Sequence, residues 1–303
     1  MFAGGLTSLG KLSVKLAATS AAASLLIAAL AAEPSFAAAA QRPDNPYVAL
    51  GDSYTAAPGV PKQDASGCLR SDHNYPSLVA ATLKPSKFTD VSCSGATTVE
   101  MTKAQTSNGA TINQPQFKAL NRKTRLVTIS IGGNDAGFGS IATTCFKLGQ
   151  TNPTGSPCED HYTAGGKDQL AAAVKATAPK VGRVLQSIRS RAPHAKVLLV
   201  GYPTILPDSG NGCFPELPLA AGDVPYVRGF ANSLNAMLAS QAKRAHATYV
   251  DTHKPTVGHD VCQPTGTRWV EGVKPTSPAA PLHPNALGQQ AMATAVLAAL
   301  RHG

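Results

Sequence analysis

The sequence predicts an α/β fold in which a mostly parallel sheet is covered by helices on both faces. Short apolar runs alternate along the chain with longer stretches of helical periodicity. This alternation is typical of βαβ units and of a parallel sheet. The apolar runs are also continuous rather than interleaved with polar residues, as expected of strands that are buried on both faces.

Each element follows from its local pattern. The predicted strands are 47–50, 88–93, 126–131, 196–203 and 247–252. The predicted helices are 75–83, 113–120, 167–192, 224–245 and 285–300. Pro179 predicts a kink in the long third helix, and Asn285 has the character of an N-cap for the last one. The segments 60–74 and 139–166 are interpreted as long loops.

The first 40 residues have the character of a secretory signal peptide. Lys11 and Lys15 precede an alanine-rich apolar centre, and small residues follow up to Ala40. The alternative is a membrane anchor, but the apolar centre is only marginally long enough, since a span takes about 20 apolar residues. We therefore expect a signal peptide over 1–40, cleavage near Ala37–Ala40, and one secreted, extracellular domain over 41–303 without a transmembrane segment. We also expect this domain to be a monomer.

Composition restricts the partners. The formal net charge of +10 falls to +9 without the first 40 residues, a balance that can favour anionic surfaces. The basic residues are scattered and lack aromatic interleaving, so a solvated basic surface is the simplest interpretation and nucleic acid is not expected as a partner. Six cysteines in an exported chain indicate disulfides, and the lack of a Cys-x-x-Cys pair argues against structural zinc. Six cysteines allow 15 connectivities, and sequential pairing, which closes short loops, is our choice among them.

Small and polar residues follow three successive predicted strands. They are Gly51-Asp52-Ser53, then Gly95, then Gly132-Gly133-Asn134-Asp135. Ligands of such sheets bind at the carboxyl ends of the strands, where glycine permits close approach to the backbone. Ester hydrolysis needs a nucleophile, a base and donors for the oxyanion. Ser53 could be the nucleophile, with its own N–H, the Gly95 N–H and the Asn134 amide as donors, although each motif alone also occurs in ordinary turns.

The base must be one of eight histidines. His283 stands out because its Pro-rich loop directly precedes the last helix and can fold over the rim of the sheet. His253 and His259 follow the last strand and are alternatives at the same rim. The remaining histidines lie near helix ends, beside cysteines or at the terminus: His73, His161, His194, His246 and His302.

Four ordered blocks, "GDSY", "SGATT", "GGND" and "HPNALG", resemble those of the SGNH (GDSL) hydrolase superfamily, in particular its secreted actinomycete lipase, esterase and phospholipase A group. The resemblance implies a flavodoxin-like three-layer α/β/α fold and hydrolysis of carboxylic esters. It implies Ser53 as nucleophile, Gly95 and Asn134 as oxyanion donors and His283 as base. In this group the cysteines form three sequential disulfides, which would here be Cys68–Cys93, Cys145–Cys158 and Cys213–Cys262.

One position departs from the superfamily pattern. Ala280 stands three residues before His283, where an aspartate is usual, and the nearest preceding carboxylate is Glu271. A base still needs its ring oriented and its cation stabilised. We therefore expect a Ser–His dyad in which the carbonyl of Ala280 or Pro281 orients the imidazole. Asp52 and Asp135 are expected to bond nearby loop N–H groups.

The predicted function is a secreted lipase or esterase that acts through an acyl-enzyme. Its expected partner is a lipid or small ester, including acylglycerols, phospholipids and model fatty-acyl esters. Lipid substrates would be bound at a lipid–water interface. One alternative is a deacetylase of carbohydrate or other small esters, since one fold can host both activities. Another is a non-catalytic binding module on the same fold. No metal or cofactor is expected.

Overall fold

Five parallel strands form the central sheet of the computed structural model, which describes residues 45–301. The predicted signal peptide lies outside the described residues. The sheet strands are β1 (Tyr47–Gly51), β2 (Phe88–Asp90), β5 (Leu126–Ser130), β6 (Lys196–Val200) and β7 (Thr248–Val250), and a separate antiparallel hairpin consists of β3 (Gln105–Ser107) and β4 (Ala110–Asn113). The sheet order is β2-β1-β5-β6-β7, with every pairing parallel. Counted within the sheet alone, this is the 2-1-3-4-5 order of flavodoxin-like folds, whose ligands bind where the order reverses, beside the first strand.

Helices cover both faces of this sheet. They are α1 (Ser53–Ala56), α2 (Tyr75–Leu83), α3 (Phe138–Thr151), α4 (Pro157–Thr163), α5 (Gln169–Arg191), α6 (Val224–Arg244) and α7 (Ala286–Arg301). Val48 and Leu50 of β1 belong to a buried cluster that includes side chains of α3, α5 and α6. Tyr47 and Ala49, on the opposite face of the same strand, pack with α2 and α7. The predicted three-layer α/β/α fold is therefore confirmed.

Two regions differ from the prediction. Residues 113–120 were predicted to be helical, but β4 ends at Asn113 and a short 3-10 turn covers Gln116–Ala119. The cause is tertiary, because the buried Gln116 side chain takes the place of a strand partner for Gly51, accepting from its N–H and donating to its carbonyl at 2.8 and 2.9 Å.

The predicted loop 139–166 is also wrong, since it contains most of α3 and all of α4. The buried positions of α3 recur every fourth residue, at Ile141, Cys145 and Gly149. The N-terminus of α4 is capped from a distant segment, because the Asp223 carboxylate accepts from the N–H groups of Cys158 and Glu159 at 3.0 and 2.9 Å. A cap supplied from about 65 positions away cannot be predicted from the residues around α4.

All six cysteines are paired, as Cys68–Cys93, Cys145–Cys158 and Cys213–Cys262. These are the pairs that the resemblance implies. The first anchors the segment just before Gly95, the second joins α3 to α4, and the third ties the region before α6 to the segment that leads to His283. Between residues 45 and 301, no helix is long and apolar enough to span a membrane.

Candidate active site

Ser53 lies at the point where the sheet order reverses. The strand β1 ends at Gly51, and the N–H of Asp52 makes one further bond of 3.0 Å to Ser130 at the end of β5. Gly51 has a φ of +138°, and an added Cβ would lie only 2.6 Å from the Ser130 carbonyl oxygen. Only glycine fits there, so the chain can turn sharply and present Ser53 as the first residue of α1.

The structure brings His283 against this serine. Nε2 of His283 lies 2.8 Å from Oγ of Ser53, and Nδ1 lies 2.7 Å from the carbonyl oxygen of Pro281. A carbonyl can only accept, so Nδ1 carries the proton and Nε2 is left as the acceptor for the serine hydroxyl. Burial lowers the pKa of His283 below its usual value, although the Pro281 carbonyl opposes this effect. The imidazole is therefore neutral at neutral pH.

The loop that carries His283 is fixed from three sides. The hydroxyl of Tyr54 donates to the carbonyl of Leu282 at 2.7 Å. Glu271 bonds to the loop twice through its backbone, donating to His283 and accepting from Leu282 at 3.0 Å each. The N–H of Ala280 donates to the Pro58 carbonyl at 2.7 Å. These bonds hold the imidazole over α1 without a carboxylate partner on its ring.

The buried carboxylate of Glu271 is engaged elsewhere. It accepts from the Asn285 amide at 2.7 Å and from the N–H groups of Thr276 and Ser277 at 2.8 and 3.3 Å. Burial alone would raise the pKa of Glu271, but these hydrogen bonds together lower it. Asn285 in turn accepts from the N–H groups of Leu287 and Gly288 and caps α7, as its sequence position predicts.

The three proposed oxyanion donors lie at the ends of adjacent strands. Asn134 follows β5, and one N–H of its amide donates to the Ala96 carbonyl at 2.9 Å. The second amide hydrogen remains for a ligand, since an amide nitrogen has two. The N–H of Cys93 donates to Gly51 at 3.0 Å, which places the segment with Gly95 beside Ser53. Within residues 45–301, the N–H groups of Ser53 and Gly95 have no protein acceptor.

The two aspartates of these motifs have other partners. Asp135 accepts from the N–H and hydroxyl of Thr98 at 2.8 and 2.7 Å. Asp52 accepts from the Tyr54 N–H at 3.0 Å and from the hydroxyl of Tyr202 at 2.6 Å. Sequence reasoning did not single out Tyr202. Its position two residues after β6, at the same rim of the sheet, is the signal that could have found it.

The alternative histidines do not reach Ser53. His253 lies 3.3 Å from the carboxylate of Asp208. His259 stacks on Trp269 with ring centroids 3.4 Å apart, and its Nδ1 lies 2.6 Å from the Thr267 carbonyl. The structure therefore separates both from the nucleophile that the sequence proposes.

An apolar cavity of about 300 Å³ opens beside Ser53 and His283. The side chains away from the reacting pair come from α3, α6 and the segment after β6, among them Phe138, Phe146, Ile205 and Leu234. A separate, almost wholly apolar space of about 30 Å³ lies next to it between α3 and α6 and is lined also by Leu219 and Phe230. Ligand pockets typically measure about 300–1,000 Å³, so this site suits a small or slender apolar group.

Comparison with known proteins assigns the chain to a family. Residues 49–291 match the model of the GDSL-like Lipase/Acylhydrolase family. The chain belongs to this family. It is 43% identical to "Lipase 2" of Streptomyces coelicolor over 91% of this chain and 93% of that protein. Ester hydrolysis is therefore the reaction class that its membership and its relatives support.

Two solved structures have the same fold. A phospholipase A1 from Streptomyces albidoflavus superposes with a TM-score of 0.68 at 31% identity, over 85% of this chain and 98% of that one. An extracellular lipase from Streptomyces rimosus gives 0.63 at 29%, over 84% and 99%. The resemblance to actinomycete lipases and esterases of the SGNH superfamily is thus confirmed. Among the described residues, no group of three or more His, Cys, Asp and Glu side chains could hold a metal ion.

Proposed function

We propose that this chain is an exported lipase or esterase that hydrolyses fatty-acyl esters through an acyl-serine intermediate on Ser53. The observation that carries the proposal is the 2.8 Å contact between Nε2 of His283 and Oγ of Ser53 at the mouth of an apolar cavity. A nucleophile within hydrogen-bond reach of an oriented base is the arrangement that serine catalysis requires. The chain's disulfides and the extracellular relative support export.

The reaction follows from the geometry. Nε2 of His283 takes the hydroxyl proton as Oγ of Ser53 attacks the ester carbonyl carbon. The developing oxyanion accepts hydrogen bonds from the N–H groups of Ser53 and Gly95 and from the Asn134 amide. The tetrahedral intermediate then collapses, the ester bond breaks, and the leaving alkoxide takes the proton from His283. Water repeats the sequence on the acyl-serine and releases the acid.

The cavity favours a fatty-acyl chain over an acetyl group. The larger cavity and the smaller space share a wall formed by Phe138, Ala142, Phe146, Ile205, Ala231 and Leu282. Small movements of these side chains would join the two spaces into one path between α3 and α6. Ala142 and Ala231 are the smallest of the shared residues, one on each helix, so they leave room for a slender chain. Glycerolipids and phospholipids, the latter as for the albidoflavus relative, are the substrates we propose.

Labelling with a fluorophosphonate tests the nucleophile. The wild-type chain should label at Ser53, and Ser53→Ala should neither label nor hydrolyse p-nitrophenyl esters. The exposed Ser190→Ala on α5 is the matched control and should behave as wild type. A wild-type chain that does not label would favour the non-catalytic binding module instead.

A panel of esters tests the substrate class. Rates should rise from acetyl to medium-chain or long-chain p-nitrophenyl esters. Ala142→Leu and Ala231→Leu should depress the long-chain rates selectively, whereas the exposed Ala172→Leu on α5 should not. A preference for acetyl esters that the two variants leave unchanged would favour the deacetylase alternative. Triacylglycerol and phosphatidylcholine added to the panel separate neutral lipid from phospholipid.

A further inference from the structure

The residues just before the nucleophile and just before the oxyanion amide share one hydrogen-bond partner. The hydroxyl of Tyr202 donates to the Asp52 carboxylate at 2.6 Å and accepts from the N–H of Gly133 at 2.8 Å. Asp52 precedes Ser53, and Gly133 precedes Asn134. We propose that Tyr202 is a positioning residue that sets the Asn134 amide relative to Ser53. This proposal rests on the proposed function and adds a residue outside its motifs.

Tyr202 itself is firmly held. Its N–H donates to the side-chain oxygen of Asn235 at 2.9 Å, and its carbonyl accepts from the same amide at 2.8 Å. Its ring meets the ring of Tyr54 edge to face, with centroids 4.9 Å apart. The backbone and ring of Tyr202, on the segment after β6, are therefore fixed while its hydroxyl bonds to the two loops.

Gly133 shows how closely the two parts fit. A Cβ at this position would lie 2.9 Å from the Tyr202 hydroxyl oxygen and 3.0 Å from the ring carbon that carries it. No larger residue could hold the backbone this close without moving the phenol. The hydrogen bond and the glycine thus fix the start of the segment that presents Asn134.

The bridge is strongest when Asp52 is ionised. The phenol then donates its one hydrogen to a charged acceptor while its oxygen accepts from Gly133, and protonation of Asp52 weakens the first of these two bonds. Burial raises the pKa of Asp52 to about 7, even though the bonds from Tyr202 and the Tyr54 N–H lower it, and the charge of Asp135 raises it further. Burial raises the pKa of Tyr202 as well, so its hydrogen stays in place.

Two acid limbs are therefore distinguishable. Catalysis requires a neutral His283, whose pKa burial lowers below its usual value, and full positioning by Tyr202 favours an ionised Asp52, whose pKa is about 7. The higher value should set the acid limb of kcat/KM in the wild-type enzyme. Asp52→Asn removes this group and should move the limb to lower pH, where the titration of His283 remains.

The test is a double-mutant cycle with steady-state kinetics on one ester. Tyr202→Phe keeps the ring and should lower kcat about 10- to 100-fold with KM within threefold, since a displacement of about 1 Å can cost 10²-fold. The double variant with Asp52→Asn should fall no further than the worse single variant, because both lose one bridge. Tyr226→Phe is the matched control, since it removes a Tyr–Asp hydrogen bond of 2.9 Å between α6 and Asp168 and should keep kcat within twofold.

Three results would overturn the inference. They are a kcat of Tyr202→Phe within twofold of wild type, a pure change in KM, and losses that multiply in the double variant. Should Tyr202→Phe fail to fold, the acid limb of Asp52→Asn decides, and a limb that stays near 7 refutes the bridge. These outcomes are distinguishable from failure of the proposed function, which would show instead as a wild-type chain that does not label at Ser53 or that prefers acetyl esters.

Discussion

Replacing His283 by alanine should abolish turnover, while replacing any single acid near the rim of the sheet should leave kcat within about tenfold of wild type. The structural reason is that Nδ1 of His283 faces the Pro281 carbonyl at 2.7 Å, and no carboxylate within residues 45–301 bonds to its ring. A carbonyl fixes the tautomer and the ring orientation as a carboxylate does, but it carries no full charge.

The magnitude follows from what each acid does. Neutralising the orienting aspartate of a true triad costs about 10⁴ in kcat, or about 5.4 kcal/mol of transition-state stabilisation. The acids to be replaced by amides are Asp135, Asp251, Asp260 and Glu271. Each of the four accepts hydrogen bonds from backbone groups near it and none bonds to the imidazole, so its loss should act on loop stability. Glu271→Gln should destabilise the most, because its buried carboxylate bonds to the segment before His283 and to Asn285.

The assay is kcat on a p-nitrophenyl ester above neutral pH, with a thermal melt of every variant to correct for the folded fraction. The exposed Asp251→Asn is the matched control for the buried acids. If one acid substitution costs as much as His283→Ala in a folded variant, a carboxylate reaches the imidazole in the working enzyme. The site would then be a triad, and the inference from Ala280 would be wrong.

Three further predictions concern the oxyanion site, the disulfides and the acid limit of stability. Asn134→Ala should lower kcat by about 10²–10³ with little change in KM, because its free amide hydrogen binds charge that exists only in the transition state; a pure KM effect would assign it to ground-state binding. Mass mapping should find no free thiol, and replacing both Cys213 and Cys262 by serine should cost up to about 4 kcal/mol by denaturant unfolding, given the 49-residue separation; a cost below that of the other two pairs would contradict the loop-entropy reasoning. Because hydrogen bonds lower the pKa of Glu271, its contribution is present above the unfolded value, about 4.3, and lost as pH falls through the folded value, so the wild-type melting temperature should drop below pH 4 more steeply than that of Glu271→Gln; parallel curves would refute this.

Local chemistry made the main elements predictable from the sequence. The three central strands β1, β5 and β6 are mostly apolar runs, and the rule that ligands bind at the carboxyl ends of parallel strands points to Ser53, Gly95 and Asn134. The place of His283 before the last helix made it the leading candidate for the base, and the resemblance of "HPNALG" to the superfamily selected it over His253 and His259. These features depend on residue order and short spacing, which a single sequence displays.

Other features depend on contacts between distant segments. Gln116 completes the backbone bonding of Gly51 from 65 positions away, so residues 113–120 resemble an α-helix in sequence but form only a short 3-10 turn in the structure. Asp223 caps α4 from a similar separation. Tyr202 bridges Asp52 and Gly133 across three strands. In each case one polar side chain satisfies backbone or side-chain groups that local pattern treats as independent, and only the fold brings them together.

Ala280 stands where the superfamily usually has an aspartate beside the imidazole. The nearest preceding acid, Glu271, bonds to the segments around the His283 loop and not to the imidazole. Glu271 binds the backbone of Thr276 and Ser277 and the Asn285 side chain, and its own backbone pairs with the residues around His283. These bonds fix the loop that carries the imidazole, and the Pro281 carbonyl, 2.7 Å from Nδ1, then orients the ring itself. Orientation without a full charge leaves the imidazolium less stabilised, so more of the catalytic effect must come from the oxyanion donors. We therefore expect substitution of Asn134, or of Tyr202, which positions it, to lower kcat strongly, and substitution of the surrounding acids to lower it little.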